Sequence, residues 1–277
     1  MNQPIKNLPD TAYHAHPAVG STTAKIGLDN EPLLAMALLG QYKMEDKAHF
    51  VSGRLAHAAV LEPDRFAQLV VANGPINEKT GKPYGRDTKA FQLWQVENPT
   101  LTVVDEWILA SLKTMPLSVR NILSHGEAEE SYFLDRNGYS IKCRPDWTHH
   151  DKLHFYDLKT ITTKGGNIER AIDKQIANLK YWFSLAWYKN IIREITGSVY
   201  THSFIFVEKD PPYRWRIVDM DFDYIEHGKA EVQRVLKILD RFYACSENQR
   251  ANVLAEADED CYYQSQCPPY LLFEEEL

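Results

Sequence analysis

Between Cys143 and Thr160 the chain sets two acids and a lysine into a segment that reads as strand, turn and strand. Ile141–Trp147 and Leu153–Ile161 hold the β-branched and aromatic residues of strands, and the polar run His149-His150-Asp151-Lys152 divides them as a turn. Side chains two apart in a strand share a face, so Asp157 and Lys159 point the same way. With the turn centred near His150 and Asp151, Asp146 falls almost opposite Phe155, on that same face. Two carboxylates and an amine are thereby gathered on one side of a small sheet. Spacing alone fits an ion-paired surface hairpin equally well. Phe155, Tyr156, Leu158 and Ile161 count against an exposed hairpin, and carboxylates in a half-buried strand need a partner such as a metal ion.

Hard oxygen ligands select Mg²⁺, with Mn²⁺ able to substitute, rather than zinc. Such an ion neutralises the charge that develops when a phosphodiester is attacked and lowers the pKa of the attacking water. A lysine beside it can orient that water or hold the phosphate as a compact point charge. The arrangement therefore points to phosphodiester cleavage.

Arg144-Pro145-Asp146 followed by Asp157-Leu158-Lys159-Thr160 resembles the PD-(D/E)xK nuclease superfamily, whose motif is short and degenerate. A second segment, Gly53-Arg-Leu-Ala-His57 with the tail Leu61-Glu62-Pro63, is similar to the Gly-x-x-x-His helix of the exonuclease VIII (RecE-type) nuclease domain. The resemblance runs from about Ser21 to about Asp219 with the motifs in the same order. It implies a restriction-endonuclease-like core in which His57, Asp146 and Asp157 are metal ligands, the Leu158 carbonyl completes the shell and Lys159 is the catalytic lysine. From the pattern alone, His57 among Leu55, Ala58, Ala59 and Leu61 reads as a packed helix histidine, although neutral imidazole is a good metal ligand.

Two further elements bear on the site. Glu129-Glu130-Ser131 opens a strand; similarity to lambda exonuclease-like enzymes, which use an upstream glutamate, makes Glu130 a candidate extra ligand, against the plainer reading of a strand-edge acid. Ile168–Ile195 reads as one long helix with Arg170, Lys174, Ala177, Tyr181, Ser184 and Tyr188 on a single stripe, which is equally an ordinary amphipathic face. The resemblance implies Gln-x-x-x-Tyr on this helix, contacting DNA or the catalytic lysine. Here the place is held by Ser184-x-x-x-Tyr188, and Gln175 lies nine residues earlier, so Gln175 or Ser184 takes the role or the function is altered. Tyr188, Lys174 and Arg170 are candidate DNA-backbone contacts.

The net charge of −7 is unusual for a nucleic-acid enzyme. Lys159, Lys164, Arg170, Lys174 and Lys180, set against Glu169 and Asp173, read equally as a local basic track or as an ordinary mixed helix surface, while Glu256–Asp260 and Phe273–Leu277 hold much of the excess acid. Cys261 and Cys267 have the Cys-x5-Cys spacing of iron–sulfur relatives in the same superfamily, but the accompanying close cysteine pair is missing, so free thiols and no cluster are expected. No run of eighteen apolar residues and no hydrophobic leader core occur, which makes a cytoplasmic location the default.

The expected organisation is a loose arm over residues 1–20, a single nuclease domain over 21–250 and an acidic tail over 251–277. Ser21 or Thr22 caps a helix running towards Gly40. Lys47–Val71 is a helix punctuated by Glu62-Pro63, and Asn73–Tyr84 is a loop. Arg86–Glu97 and Asp105–Ser124 are helices, the latter kinked or split at Pro116. Asn137-Gly138 turns a hairpin. Tyr200–Glu208 and Tyr213–Asp219 are strands, and Asp223–Glu247 is a closing helix. This order fits a mixed α/β domain, a central mixed sheet flanked by helices.

With 44% apolar residues the core is ample. The expected function is Mg²⁺-dependent hydrolysis of DNA. The resemblance further implies a 5′-to-3′ exonuclease on double-stranded ends, a ring-shaped homo-oligomer such as a tetramer, and a phage-type recombination role beside a single-strand annealing protein. A structure-specific or restriction-type endonuclease on the same fold is the first rival. A non-catalytic DNA-binding relative is the second.

Overall fold

In the computed structural model, the strand that carries Asp157 and Lys159 lies inside a sheet and is covered on both faces. The structure describes residues 3–43, 48–69, 71–72, 74–246 and 249–250. The acidic tail and the pair Cys261 and Cys267 fall outside the described residues.

The amino-terminal part is helical: α1 (Asp10–Ala15), the short strand β1 (Val19–Gly20), α2 (Ser21–Ala24), α3 (Ile26–Asp29), α4 (Glu31–Leu38), α5 (Ala48–Leu61) and α6 (Pro63–Ala67). Small pieces follow: β2 (Val71–Ala72), the hairpin β3 (Ile76–Asn77) with β4 (Lys82–Pro83), α7 (Lys89–Glu97), β5 (Thr102–Val103), α8 (Glu106–Thr114) and α9 (Leu117–Leu123). The remainder is β6 (Glu127–Ala128), β7 (Tyr132–Arg136), β8 (Tyr139–Cys143), β9 (Trp147–His149), β10 (His154–Ile161), α10 (Ile168–Asn178), α11 (Tyr181–Thr196), β11 (Thr201–Glu208), β12 (Trp215–Val218) and α12 (Phe222–Ala244).

The main sheet has the order β12-β11-β10-β9-β6. β10 runs parallel to β11 and antiparallel to β9, so the sheet is mixed, as the alternation of strands and helices predicts. A second sheet, β1-β8-β7, stands beside it. Alternation along β10 feeds two cores. Phe155 and Ile161 join Phe204, Phe206, Trp187, Ile191, Val235 and Leu239 beneath α11 and α12. Tyr156 and Leu158 join Val60, Leu61, Val119 and Ile205 on the side of α5 and α9. Trp187 is fully buried, and truncating such a side chain to alanine costs roughly 3–5 kcal/mol. Helices α11 and α12 touch at Gly228, where a Cβ would come within 2.6 Å of the Trp182 carbonyl.

The Asn137-Gly138 turn forms as its sequence predicts, both residues adopting positive φ (40° and 85°), the geometry of a tight two-residue hairpin. Pro116 splits the helix it was expected to disturb, leaving α8 and α9 on either side.

Four readings are corrected. Described residues 3–20 are not a loose arm: the Lys142 amine and the Arg144 guanidinium need acceptors, and the carbonyls of Leu8, Tyr13 and His16 supply them with the Asp10 carboxylate. β1 then pairs parallel with β8. The helix expected from Ser21 to Gly40 is three short ones, because Asn30 leaves the helical region and caps α4 ahead of Pro32, its Oδ1 accepting from Leu33 N at 2.8 Å. The Asn73–Tyr84 loop contains the β3–β4 hairpin. Ile168–Ile195 is two helices meeting at Lys180, which is left-handed at φ 51°. The carbonyl of Leu179 freed there accepts from Lys25 Nζ at 3.2 Å.

Candidate functional site

The hairpin that anchors the site turns one residue later than the simplest register predicts, which shifts each pairing partner by two. His154 pairs with His149 and Tyr156 with Trp147, so Asp146, one step beyond the last pair, sits beside Asp157 instead of Phe155. A shift of two preserves the face, so the expected gathering of Asp146, Asp157 and Lys159 occurs despite the wrong rung. The strand expected over Ile141–Trp147 is also interrupted: β8 ends at Cys143 and β9 begins at Trp147, leaving Arg144-Pro145-Asp146 as a break.

Asp146 uses its two oxygens differently. Oδ2 accepts from the Leu158 backbone N–H at 2.6 Å, and Oδ1 faces Nδ1 of His57 at 3.6 Å, too long for a hydrogen bond. Burial pushes the Asp146 carboxyl well up, and the neighbouring Asp157, with which it shares a hydrogen bond, pushes it further. Asp157 goes the other way. Burial opposes its ionisation, but the Lys159 amine, paired directly to Oδ2, outweighs that and holds its pKa down. Burial likewise works against the Lys159 charge, and Asp157 and Asp146 together override it, so the amine stays protonated.

His57, on α5, is held below its ordinary pKa by burial and then by the Lys159 charge, so its imidazole is neutral with a lone pair to offer. The Leu158 backbone is within hydrogen-bond reach of its ring, and the Leu158 carbonyl accepts from Lys159 Nζ at 3.3 Å.

The third donor is Glu129. His57, Glu129 and Asp146 each offer one ligand atom, and the three atoms lie within 4.8 Å of one another. Burial, then the Asp146 carboxylate, raises the Glu129 carboxyl to about 8. Glu130 points elsewhere, correcting the sequence reading. It is fully buried, accepts from Tyr132 OH at 3.3 Å and meets His150 Nε2 at 2.7 Å. The reason is local: Glu129 has φ 52°, a left-handed kink that swings its side chain, not its neighbour's, towards Asp146.

Two carboxyls that burial and mutual repulsion make reluctant to ionise, a neutral imidazole and a strand carbonyl form a donor set that suits a hard divalent cation. Asp157 stands beside this set with its charge spent on Lys159.

Around Lys159 the helix break matters. On a straight helix residues six apart point about 120° away from each other, yet Gln175 Nε2 donates to Tyr181 OH at 3.0 Å and to the Thr160 carbonyl at 3.1 Å. The Tyr181 ring lies 5.4 Å from Lys159 Nζ and 5.9 Å from Lys25 Nζ. Gln175 thus reaches β10, with Tyr181 as its aromatic partner. Tyr188 is half-buried against the core, its ring 6.2 Å from Phe155, and burial and then the Asp157 charge push its hydroxyl well up. Ser184 is half-buried, whereas Lys164, Arg170 and Lys174 are exposed beyond β10.

Sequence reasoning missed Lys25. Its amine is lowered to about 8, chiefly by burial and next by the Lys159 charge. Nothing in the pattern around Lys25 marks it, since only the tertiary fold brings its amine to Tyr181 and the Lys159 charge. Glu129 had a signal, adjacency to Glu130, but parity along an irregular segment could not choose between them.

No helix among the described residues is long and apolar enough to cross a membrane. No curated protein matches the sequence. A crystal structure from Eubacterium rectale, described as a "putative exonuclease", superimposes with a TM-score of 0.50 at 15% identity, covering 84% of this chain and 87% of that one. That likeness establishes the fold. Residues 29–264 match the family described as PDDEXK-like domain of unknown function (DUF3799), and a match over most of the chain places the protein in that family.

Proposed function

We propose that the protein is a divalent-cation-dependent deoxyribonuclease, most specifically a 5′-to-3′ exonuclease acting on double-stranded DNA ends. The observation that carries this reading is the cluster of His57, Glu129 and Asp146 beside an ion-paired Asp157 and Lys159, in a chain of a PDDEXK-like family. Mg²⁺, or Mn²⁺ in its place, would be held by His57, Glu129, Asp146 and the Leu158 carbonyl, and would supply charge neutralisation at the scissile phosphate.

The protein's own groups do the rest. Lys159, kept charged by Asp157 and Asp146, holds a phosphate oxygen or the attacking water at a fixed place. Lys25 brings a second amine to the Tyr181 ring for the phosphate backbone. Gln175 ties α10 to Thr160, taking the role of the family glutamine. Lys164, Arg170 and Lys174 line an exposed approach for DNA, while Tyr188 packs behind the carboxylates.

The exonuclease VIII-type motifs Gly53-x-x-x-His57 and Leu61-Glu62-Pro63 support the finer reading: duplex ends as substrate, a ring-shaped homo-oligomer, a cytoplasmic site of action, and a recombination role with a single-strand annealing partner. The test uses end-labelled linear duplex and covalently closed circular DNA, with Mg²⁺ or with EDTA. Linear duplex should be digested only with Mg²⁺, the circle should survive, and Asp157→Ala and Lys159→Ala should be inactive while folded. Digestion in EDTA, or by either variant, overturns the site. Cutting of the circle replaces the exonuclease with an endonuclease.

A further inference from the structure

Neither Glu129 nor Asp146 sits within a paired strand. Glu129 follows β6 in the left-handed region, and Asp146 ends the break between β8 and β9. These irregular segments bind each other through one backbone bond, Glu129 N–H to the Asp146 carbonyl at 3.1 Å. The amino-terminal segment contributes much of their remaining support. Ile5 and Ser131 exchange backbone hydrogen bonds of 2.8 and 3.0 Å. The buried Arg144 guanidinium donates from Nε to Ser131 Oγ at 2.8 Å, from Nη1 to Asp10 Oδ1 at 2.7 Å and from Nη2 to the Leu8 carbonyl at 2.9 Å. It also lies 4.0 Å from the centre of the Tyr13 ring. The same Nη1 is 3.7 Å from Glu129 Oε2. Asp10 and Glu129 therefore compete for one guanidinium, and Asp10 has the shorter contact.

We infer that residues 5–16 are a working part of the cation centre, in which Asp10 holds Arg144 off Glu129 and so keeps the Glu129 carboxylate available to a divalent cation. Asp10 and Arg144 are positioning residues, since neither belongs to the donor cluster. The inference rests on the reading of His57, Glu129 and Asp146 as a cation site. Without Asp10 the guanidinium turns to the Glu129 carboxyl, 3.7 Å away, favouring its ionised form and pairing with it in a partly buried setting where charge pairing is strong. The site also loses a nearby negative charge. Both effects weaken cation binding. A distant aspartate serves as a control. Asp240, on α12, accepts from Arg136 at 3.1 and 3.3 Å, Asn137 at 3.1 Å and Tyr139 OH at 2.8 Å, at the far end of the β7–β8 hairpin.

Mn²⁺ binding to the full chain, measured by calorimetric titration at fixed pH with thermal unfolding in parallel, tests this. Asp10→Asn should weaken Mn²⁺ roughly tenfold, the usual scale for removing a supporting partner of a metal ligand. Asp10→Glu, which keeps the charge, should recover most of the affinity. Asp240→Asn should lower the unfolding temperature and leave Mn²⁺ affinity unchanged. Wild-type affinity in a folded Asp10→Asn overturns the inference and spares the cation site. An equal loss in Asp240→Asn also overturns it, by reducing the effect to general stability. Absence of Mn²⁺ binding in the wild type overturns both.

Discussion

Replacing Glu129 with glutamine separates the electrostatics of this centre from its packing. The Glu129 carboxyl ionises near 4.5 in the unfolded chain and at about 8 in the folded protein, chiefly through burial and then through Asp146. A carboxyl whose folded pKa is raised makes no demand below its unfolded value and destabilises progressively as pH climbs, levelling off above the folded pKa. The full shift, from 4.5 to about 8, corresponds to about 5 kcal/mol at 1.36 kcal/mol per unit, of which about 3.5 kcal/mol falls between pH 5 and pH 8. The side chain is 26% exposed, so water screens part of this and about 2 kcal/mol is the reasonable expectation. For a chain of this size that is roughly 4–8 °C in Tm. In EDTA, the Tm of Glu129→Gln relative to wild type should therefore rise by that amount between pH 5 and pH 8. Comparing the difference across pH cancels any fixed packing cost of the amide. Added Mn²⁺ should then stabilise the wild type much more than the variant. A Tm difference that stays flat with pH, together with equal stabilisation by Mn²⁺, would refute the placement of Glu129 in the cluster.

Two companion variants extend this. Glu130→Gln should keep Mn²⁺ binding and DNA digestion but unfold at lower urea, losing about 1–3 kcal/mol from its buried hydrogen bonds; loss of Mn²⁺ binding there would exchange the roles of the two glutamates. On the proposed role of its amine at the phosphate backbone, off the donor cluster, Lys25→Ala should raise KM for linear duplex about tenfold with kcat within a few-fold; a fall in kcat at unchanged KM would place Lys25 in the chemical step instead.

Much of this was legible in the sequence where periodicity and turn chemistry act over short range. Asn137-Gly138 specified its hairpin, Pro116 its helix break, and the alternation around Asp157 and Lys159 their common face, which a register error of two residues left intact. The parts that were not legible are tertiary. No glycine or proline announces the left-handed joint at Lys180, which Gln175 bonding to Thr160 and Lys25 bonding to Leu179 accompany. The first twenty residues look polar and loose because their partners, Lys142 and Arg144, lie more than a hundred positions away. Glu129 is selected over Glu130 by one positive φ that no pattern encodes. Asp146, Asp157, Lys159 and His57 were named from motif and spacing, and the fold brings all four to one place.

The donors at this centre come from α5, the segment after β6, the break before β9 and the middle of β10, a span of about a hundred residues from His57 to Leu158. β10 in turn owes its parallel neighbour β11 to a crossover through α10 and α11. A chain cut short of β10 therefore cannot complete the centre, and β10 gains its parallel neighbour only once β11 has docked.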